Sequence, residues 1–233
     1  MKYLALTLVL LITRSAFAAV PAVSFTGGLF DSFADDTIGF RFTVGDSDIS
    51  VSALGFYDRG FDGLSDAHDV AIFHVLTESA VLSATIPSGA VAPLEDGFRF
   101  LEVTPATLLA GGTYVINGYR PTAADGILFN ASKLTTAPFL TYDTQVAANR
   151  TGGLAYTNTP FPDAANGWFG PNFKADVVPE PASGALLLVG AVLFCGRRTR
   201  RAVRRLPAMI STNRLSVVLA LLTGFLASVP VYA

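Results

Sequence analysis

Cysteine and histidine are almost absent from this sequence, which excludes several kinds of site. Cys195 is the single cysteine among 233 residues, and it lies in an apolar stretch near the end of the chain. One thiol forms no disulfide framework and gives no zinc-ligand spacing. The two histidines, His68 and His74, fall on one predicted strand about 20 Å apart, so they do not share a metal ion.

Motifs of common enzyme classes are missing as well. The sequence contains no Walker loop, dinucleotide fingerprint or paired-carboxylate arrangement. Ser65-Asp66-Ala67-His68 has the residue types of a hydrolase but lacks a nucleophile elbow. We therefore predict no catalytic residues, no required cofactor and no enzyme activity, with a surface hydrolase as a remote alternative.

Basic residues are scarce in the middle of the chain. Residues 19–178 contain 7 Lys+Arg and 17 Asp+Glu, a net charge of 7 − 17 = −10. Nucleic acids bind through clustered Lys and Arg that release counterions. An acidic segment of this kind predicts no nucleic-acid partner and is typical of a solvated extracellular domain.

Long apolar runs occur only near the ends of the sequence. The first, in MKYLALTLVLLITRSAFAAV, follows Lys2 and is too short for a stable membrane span. The small residues of Ala16-Phe17-Ala18 then precede Ala19. This pattern predicts a signal peptide over 1–18, cleaved by signal peptidase between Ala18 and Ala19, and hence an exported protein.

The segment 19–176 has no long 3.6-residue apolar period but many short β-rich runs between Gly, Pro and Asp. Such runs predict an all-β domain, an antiparallel β-sandwich or jelly-roll-like ectodomain. The predicted strands are 38–44, 49–57, 68–75, 80–86, 97–103 and 113–119. The predicted core consists of Phe40, Phe42, Val51, Leu54, Val70, Ile72, Val81, Ile86, Phe98, Phe100, Tyr114 and Ile116.

The later segment 126–174 is richer in Asn, Thr, Pro and Gly but still holds aromatic residues. We expect two further strands there, connected by long loops. Trp168 is expected to pack on the sandwich, and the alternative is an exposed aromatic platform on which a sugar stacks.

Three segments of the middle occur in a distinctive order: ALGFYDRGFDGLSDAHDVAIFHV, VLSATIPSG and GFRFLEVTPATLLAGGTYVINGY. Over 38–119 the chain thereby resembles an uncharacterised extracellular β-sandwich family of bacterial surface proteins. The resemblance implies a fold and no particular activity. His68 occupies a position of the family motif, and we expect it to make a structural hydrogen bond at the start of its strand.

The loop DRGFDGLSDAHD is the strongest candidate for a metal site. It places Asp58, Asp62, Asp66 and Asp69 at oxygen-ligand positions of a twelve-residue calcium loop, with Gly63 at the turn. Gly60 stands at position 3, the last ligand is Asp rather than Glu, and the flanks read as strands. Two interpretations stay open: a loose Ca²⁺ site between strands, or a solvated Asp- and Gly-rich turn.

The segment 177–205 combines three features in order. Pro179-Glu180-Pro181 cannot lie inside a helix. The next fifteen residues, 182–196, would span about 22 Å as a helix. Arginines follow the apolar run, and the positive-inside rule predicts that they stay in the cytoplasm with the acidic domain outside. The cluster consists of Arg197, Arg198, Arg200, Arg201, Arg204 and Arg205.

This arrangement resembles the PEP-CTERM sorting signal of exported proteins in Gram-negative bacteria. The resemblance implies recognition by an exosortase, a membrane protease-transpeptidase, with processing near Pro179-Glu180-Pro181. It also implies transient anchoring in the membrane, a place in the cell envelope or on the extracellular surface, and a link to exopolysaccharide or biofilm. The alternative is an ordinary single-pass anchor.

The chain continues beyond that signal into a second apolar segment, 206–233. MISTNRLSVVLALLTGFLASVPVYA reads like another signal peptide, with Arg214 in its first part. It is interpreted as a reading-frame artefact, as a second membrane span, or as a tail discarded with the sorting signal.

These observations favour a non-catalytic, secreted surface or extracellular-matrix protein. The alternative is a calcium-assisted carbohydrate-binding module that uses the 58–69 loop and the aromatic residues near Trp168.

Overall fold

Strands account for all the regular structure in the part of the chain that the computed structural model describes, residues 18–31, 33–161 and 167–179. No helix occurs in those ranges, and hence none there that could cross a membrane. The predicted antiparallel all-β fold is confirmed for these residues. The predicted signal peptide up to residue 17, and everything from Glu180 onward, lie outside them.

The strands are β1 (Val20–Pro21), β2 (Val23–Thr26), β3 (Leu29–Asp31), β4 (Asp36–Val44), β5 (Ile49–Tyr57), β6 (His68–His74), β7 (Ala80–Ile86), β8 (Leu94–Glu95), β9 (Phe98–Leu108), β10 (Thr113–Arg120), β11 (Ile127–Phe129), β12 (Lys133–Thr136), β13 (Leu140–Asn149), β14 (Trp168–Phe169) and β15 (Pro171–Val177).

Two five-stranded antiparallel sheets form a sandwich-like arrangement around one hydrophobic core. The first has the strand order β1-β15-β5-β9-β8, and the second β13-β4-β10-β6-β7. A three-stranded sheet, β14-β11-β3, and a two-stranded sheet, β12-β2, complete the described structure. Side chains at alternate positions of the long strands point into the core, as the period of two predicts.

All the predicted core residues are buried except Val81, for which the prediction is wrong: it is 38% exposed. On β7, Leu82, Ala84 and Ile86 contact the core, so side chains at odd positions point away from it. Val81 also stands where the pairing of β7 with β6 shifts register.

Five strands, β11 to β15, occupy the described part of 126–177, where two were expected. The most important is β15, which enters the first sheet between β1 and β5. Its Phe173 and Ala175 are fully buried.

The strand pairing defines two ends of the first sheet. At one end, which we call the Ile49 end, Ile49 pairs with Val177 and Leu108. At the other, the Tyr57 end, Tyr57 pairs with Phe98. Because β1 runs antiparallel to β15, with Val20 opposite Ala175, residues 18 and 19 and the chain after Val177 both adjoin the Ile49 end.

Candidate functional site

The 58–69 loop lies at the Tyr57 end, and its first aspartate is a buried ion-pair partner. Asp58 is 1% exposed, and its Oδ2 accepts a hydrogen bond from Arg99 Nε at 2.7 Å. The backbone N–H of Gly63 donates to the same oxygen at 3.0 Å. This carboxylate therefore closes the loop upon itself and neutralises a guanidinium.

The other three predicted calcium ligands have separate surroundings. Asp66 accepts a short hydrogen bond from Thr122, and Asp69 Oδ1 accepts one from Thr85 Oγ1 at 2.6 Å. Asp62 is exposed. Within the described ranges, no group of three or more His, Cys, Asp or Glu side chains is placed to hold a metal ion. The structure thus does not bring the four aspartates into one site, which favours the interpretation of 58–69 as an Asp- and Gly-rich turn, with Asp58 buried rather than solvated.

His68, the first residue of β6, makes the structural hydrogen bonds expected of it. The ring is fully buried and stacks on Phe56, with centroids 3.7 Å apart. Its Nδ1 lies 3.0 Å from the carbonyl oxygen of Tyr119, and its Nε2 lies 2.9 Å from Asp125 Oδ2. Both ring nitrogens thus lie within hydrogen-bond distance of an acceptor oxygen.

Asp125 connects this pair to the 58–69 loop. Its carboxylate accepts hydrogen bonds from the backbone N–H groups of Ser65 and Asp66, each at 2.8 Å. Burial raises the pKa of Asp125, but the hydrogen bond from His68, the two backbone hydrogen bonds and the charge of His68 outweigh it and lower the pKa from 3.8 to about 2.

This geometry bears on the hydrolase-like stretch Ser65-Asp66-Ala67-His68. A general base needs a free nitrogen within reach of a nucleophile or substrate. Both nitrogens of His68 are occupied, and the ring is not accessible to solvent. The residue pair His68–Asp125 holds strands and loop together.

Trp168 is 7% exposed and packs against the core. Its ring centroid lies 4.4 Å from that of Phe161 and 6.3 Å from that of Phe129. The expected packing role is confirmed, and the indole offers no exposed platform.

An open groove near Tyr57 is the site that the sequence did not reveal. It has a volume of about 760 Å³ and is bounded by β2, β3, β11, β12, the 58–69 loop and the turn between β8 and β9. We call it the Phe30–Phe61 groove. The side chains that line it and matter below are Ser24, Phe25, Phe30, Phe61, Asp96 and Lys133. A second depression of about 380 Å³ adjoins it and shares Ser24, Asp96 and Thr135.

Two phenylalanines of this groove have large exposed surfaces. Phe61 is 58% exposed and Phe30 is 47% exposed. The guanidinium carbon of Arg59 lies 4.2 Å from the centroid of the Phe30 ring, a cation–π contact. On the inner side of the groove, Phe25 stacks on Phe169 of the core, with centroids 4.9 Å apart.

The backbone at Phe61 is strained. Its φ is +65°, which is a genuine outlier for a bulky residue. Buried contacts hold it there: Arg99, the partner of Asp58, also donates from Nη2 to the carbonyl oxygen of Phe61 at 3.1 Å. The ring packs over Gly97, since a Cβ at that glycine would lie 3.3 Å from it.

Only part of the predicted processing segments falls within the described residues. Ala18 is exposed, Ala19 is half-buried, and Pro179 is exposed just after β15. The backbone N–H of Val178 donates to the carbonyl oxygen of Asp48 at 2.8 Å, so the ordered sheet reaches the residue before Pro179. The remaining predicted sorting residues are Glu180, Pro181, Arg197, Arg198, Arg200 and Arg201, all outside the described ranges.

The groove had a faint signal in the sequence. GGLFDSF and DRGFDGL place phenylalanine among Gly, Asp and Ser, where turns are expected and large apolar residues are not. Compared with known proteins, the chain matches no protein-family model and no curated protein.

Proposed function

We propose that this chain is a non-catalytic exported protein that is displayed on the surface of a Gram-negative bacterium, or in its extracellular matrix. In this proposal the β domain, residues 19–178, is a sandwich ectodomain. Signal peptidase removes 1–18, and an exosortase recognises the PEP-CTERM signal over 177–205.

The observation that carries the proposal is the position of Pro179. The triplet begins two residues after β15, an inner strand of the first sheet, and Pro179 itself is exposed. The first residue of the triplet would therefore be accessible to a processing enzyme. Cleavage there leaves β15 and its buried Phe173 and Ala175 intact.

Export without catalysis also agrees with the chemistry of the β domain. The side chains of His68, Asp58, Asp66 and Asp69 are engaged in structural contacts. The domain folds without cysteine, and its buried ion pairs do not depend on the redox state of the compartment.

The proposal is tested by mass spectrometry of the mature protein from a Gram-negative host that has an exosortase. We expect one terminus at Ala19 and the other near Pro179. A variant with Pro179→Ala and Glu180→Gln is expected to keep its tail, and Asp176→Asn serves as the matched control outside the triplet. A mature wild-type chain that retains 197–233 would contradict exosortase sorting and favour a permanent anchor.

The same spectra test the reading-frame interpretation of 206–233. Peptides from that segment in the unprocessed Pro179→Ala, Glu180→Gln variant would show that it is translated as part of this chain. Their absence from both proteins would favour the reading-frame artefact.

A further inference from the structure

We propose that the Phe30–Phe61 groove binds a strand of neutral polysaccharide. The inference rests on the proposed function only for the source of the ligand, outside the cell. The binding chemistry stands on the groove alone. This is a different site from the 58–69 aspartates and Trp168, and it requires no calcium.

The aromatic walls supply one half of that chemistry. A pyranose ring has an apolar face of C–H groups, which packs on the negative π face of an aromatic ring. Phe30 and Phe61 both line the groove and are each about half exposed, so the parts of the two rings that Arg59 and Gly97 do not cover are open to such a face. Exposed apolar surface that is clustered and rimmed by polar groups marks a binding site more often than an isolated exposed residue does.

The polar rim supplies the other half. Asp96 and Lys133 are both exposed and line the groove, and among the described residues neither side chain has a hydrogen-bond or ion-pair partner. The carboxylate of Asp96 accepts hydrogen bonds and the ammonium group of Lys133 donates them. Together they match the hydroxyl groups of a sugar, which both donate and accept hydrogen bonds. Ser24, whose side chain carries a hydroxyl group, lines the same groove. A few polar groups on an aromatic lining are typical of small-ligand and sugar sites.

The charges of the rim favour a neutral ligand. The two charged residues that line the groove, Asp96 and Lys133, have opposite charges that cancel. A polyanion would meet the carboxylate of Asp96 as well as the net negative charge of the domain. A neutral glycan meets neither penalty, so its binding should depend little on salt.

The shape of the groove favours binding of an internal segment of the polysaccharide over binding of its chain end. The groove is open, and the second depression continues from it past Ser24, Asp96 and Thr135 toward β1. A closed pocket would select a terminal sugar. A continuous open depression accommodates several consecutive sugars of a longer chain.

The strained conformation of Phe61 gives an independent reason to assign a function here. A left-handed backbone on a bulky residue costs about 1–3 kcal/mol and persists only where the surroundings enforce it. The buried Asp58–Arg99 pair does so through the carbonyl of Phe61. The ring is thus fixed in an exposed position before any ligand arrives, which reduces the entropy lost on binding.

The test uses the full-length chain in a sugar-free detergent and titration calorimetry. The neutral probes are cellohexaose, laminarihexaose and isomaltohexaose, and an alginate hexasaccharide is the anionic comparison. We expect at least one neutral probe to bind, with an affinity that changes less than about twofold when salt is raised to about 0.5 M.

Three variants locate the site. Phe30→Ala and Phe61→Ala are each expected to weaken binding by about tenfold or more. Phe61→Trp keeps an aromatic face and is expected to retain binding. Leu109→Ala is the matched control, because Leu109 is 61% exposed in the turn after β9 at the Ile49 end, away from the groove.

Phe61→Gly separates binding from folding. Glycine relieves the positive φ, so the melting temperature should stay at or above that of Phe61→Ala while binding is lost. The proposal is overturned if no neutral probe binds, if binding survives both alanine variants, or if alginate alone binds and is released by salt. The proposal is also overturned if the groove binds a second copy of the chain. That result would appear as dimers of the native chain that the Phe61→Ala variant does not form.

These outcomes are independent of the processing test. If the chain retains its tail but binds a sugar, the result supports the polysaccharide-binding proposal and contradicts the sorting proposal. If the termini are as expected but no sugar binds, the result supports the sorting proposal and contradicts the polysaccharide-binding proposal.

Discussion

At the scale of single residues, the domain contains two buried arginine–aspartate ion pairs, one in each large sheet. Arg120 and Asp36 form a bidentate pair, with Nε–Oδ1 and Nη2–Oδ2 distances of 2.8 and 2.6 Å, and both side chains are almost completely buried. The Asp58–Arg99 pair is equally sheltered. A buried ion pair adds little net stability as a unit, but removal of one partner leaves an unpaired charge in the core.

We therefore predict that Asp58→Ala lowers the free energy of unfolding by about 3–5 kcal/mol, because Arg99 loses its counter-charge. Urea titration monitored by circular dichroism measures the change. The double variant Asp58→Leu, Arg99→Met should recover much of the loss. Asp62→Ala, at an exposed position of the same loop, should change stability by no more than about 0.5 kcal/mol.

The same variants test the calcium interpretation of the loop. If these aspartates bound Ca²⁺, millimolar calcium would raise the melting temperature, and Asp62→Ala would abolish the rise. Since the loop contacts are internal, we expect identical melting curves in calcium and in chelator.

A second residue-scale prediction concerns acid. The pKa of Asp125 is lowered from 3.8 to about 2, so ionised Asp125 stabilises the fold fully above pH 4. This contribution, about 2 kcal/mol, is lost as the pH falls through the window from 4 to 2. Urea midpoints measured from pH 7 to 2 should fall there.

Asp125→Asn is the control for the acid prediction. The variant is expected to be less stable at pH 7 and to lose less stability between pH 4 and 2 than the native chain does. An unchanged acid profile in Asp125→Asn would contradict the assignment of this window to Asp125.

At the scale of elements, the close contact between β4 and β10 requires a glycine at position 39. Gly39 of β4 lies opposite Asn117 of β10, and a Cβ built on it would lie 1.7 Å from the carbonyl oxygen of Ile116. Backbone atoms cannot move aside as a flexible side chain can. The two central strands of the second sheet can pair at this distance only because residue 39 has no side chain.

We predict that Gly39→Ala destabilises the domain by more than about 3 kcal/mol or prevents folding, because the added methyl group overpacks the sheet. Gly153→Ala is the control, since nothing lies within 4 Å of the Cβ position there. The two variants are compared by thermal unfolding and by recovery of folded protein. Equal stability would contradict the close contact.

The longer strands could be predicted from the sequence because they carry enough residues to show a period of two. The strands 49–57 and 80–86 have the predicted bounds. The shorter strands β11, β12 and β14 have two to four residues each, too few for a period. Their strand structure depends on partners such as β2 and β3, which lie about a hundred positions earlier in the chain.

The candidate site was also only partly predictable, because its contacts join residues that are distant in the sequence. The 58–69 loop could be predicted as a turn from its glycines and aspartates. Its aspartates were grouped because they are close in sequence, whereas their partners Arg99, Asp125 and Thr85 come from other elements. The groove joins residues near positions 25, 61, 96 and 133, which only the folded sheets bring together.

At the scale of the whole molecule, β15, the last strand of the described residues, completes the first sheet. β15 separates β1 from β5 in the first sheet, and its buried Asn172 donates to the carbonyl oxygen of Val23 at 2.8 Å. We predict that a chain stopped after Pro179 keeps the native sheet signal and resists protease, whereas a chain stopped after Gly170 does not.

Limited proteolysis and circular dichroism of the two truncated chains check this prediction. The full-length chain provides the reference pattern. Loss of structure in the chain that ends at Pro179 would show that the segment from Glu180 onward is needed for the β domain to fold.

The antiparallel pairing of β5 with β15 has a mechanical consequence. Seven positions of β15 pair with β5, with Val177 next to the exit at Pro179 and Pro171 next to the Tyr57 end. When a ligand in the groove is dragged while the chain is held at Pro179, the two strands are loaded in shear along their length. The hydrogen bonds between them then bear the tension together and do not open one after another, which raises the force needed to separate β15 from β5.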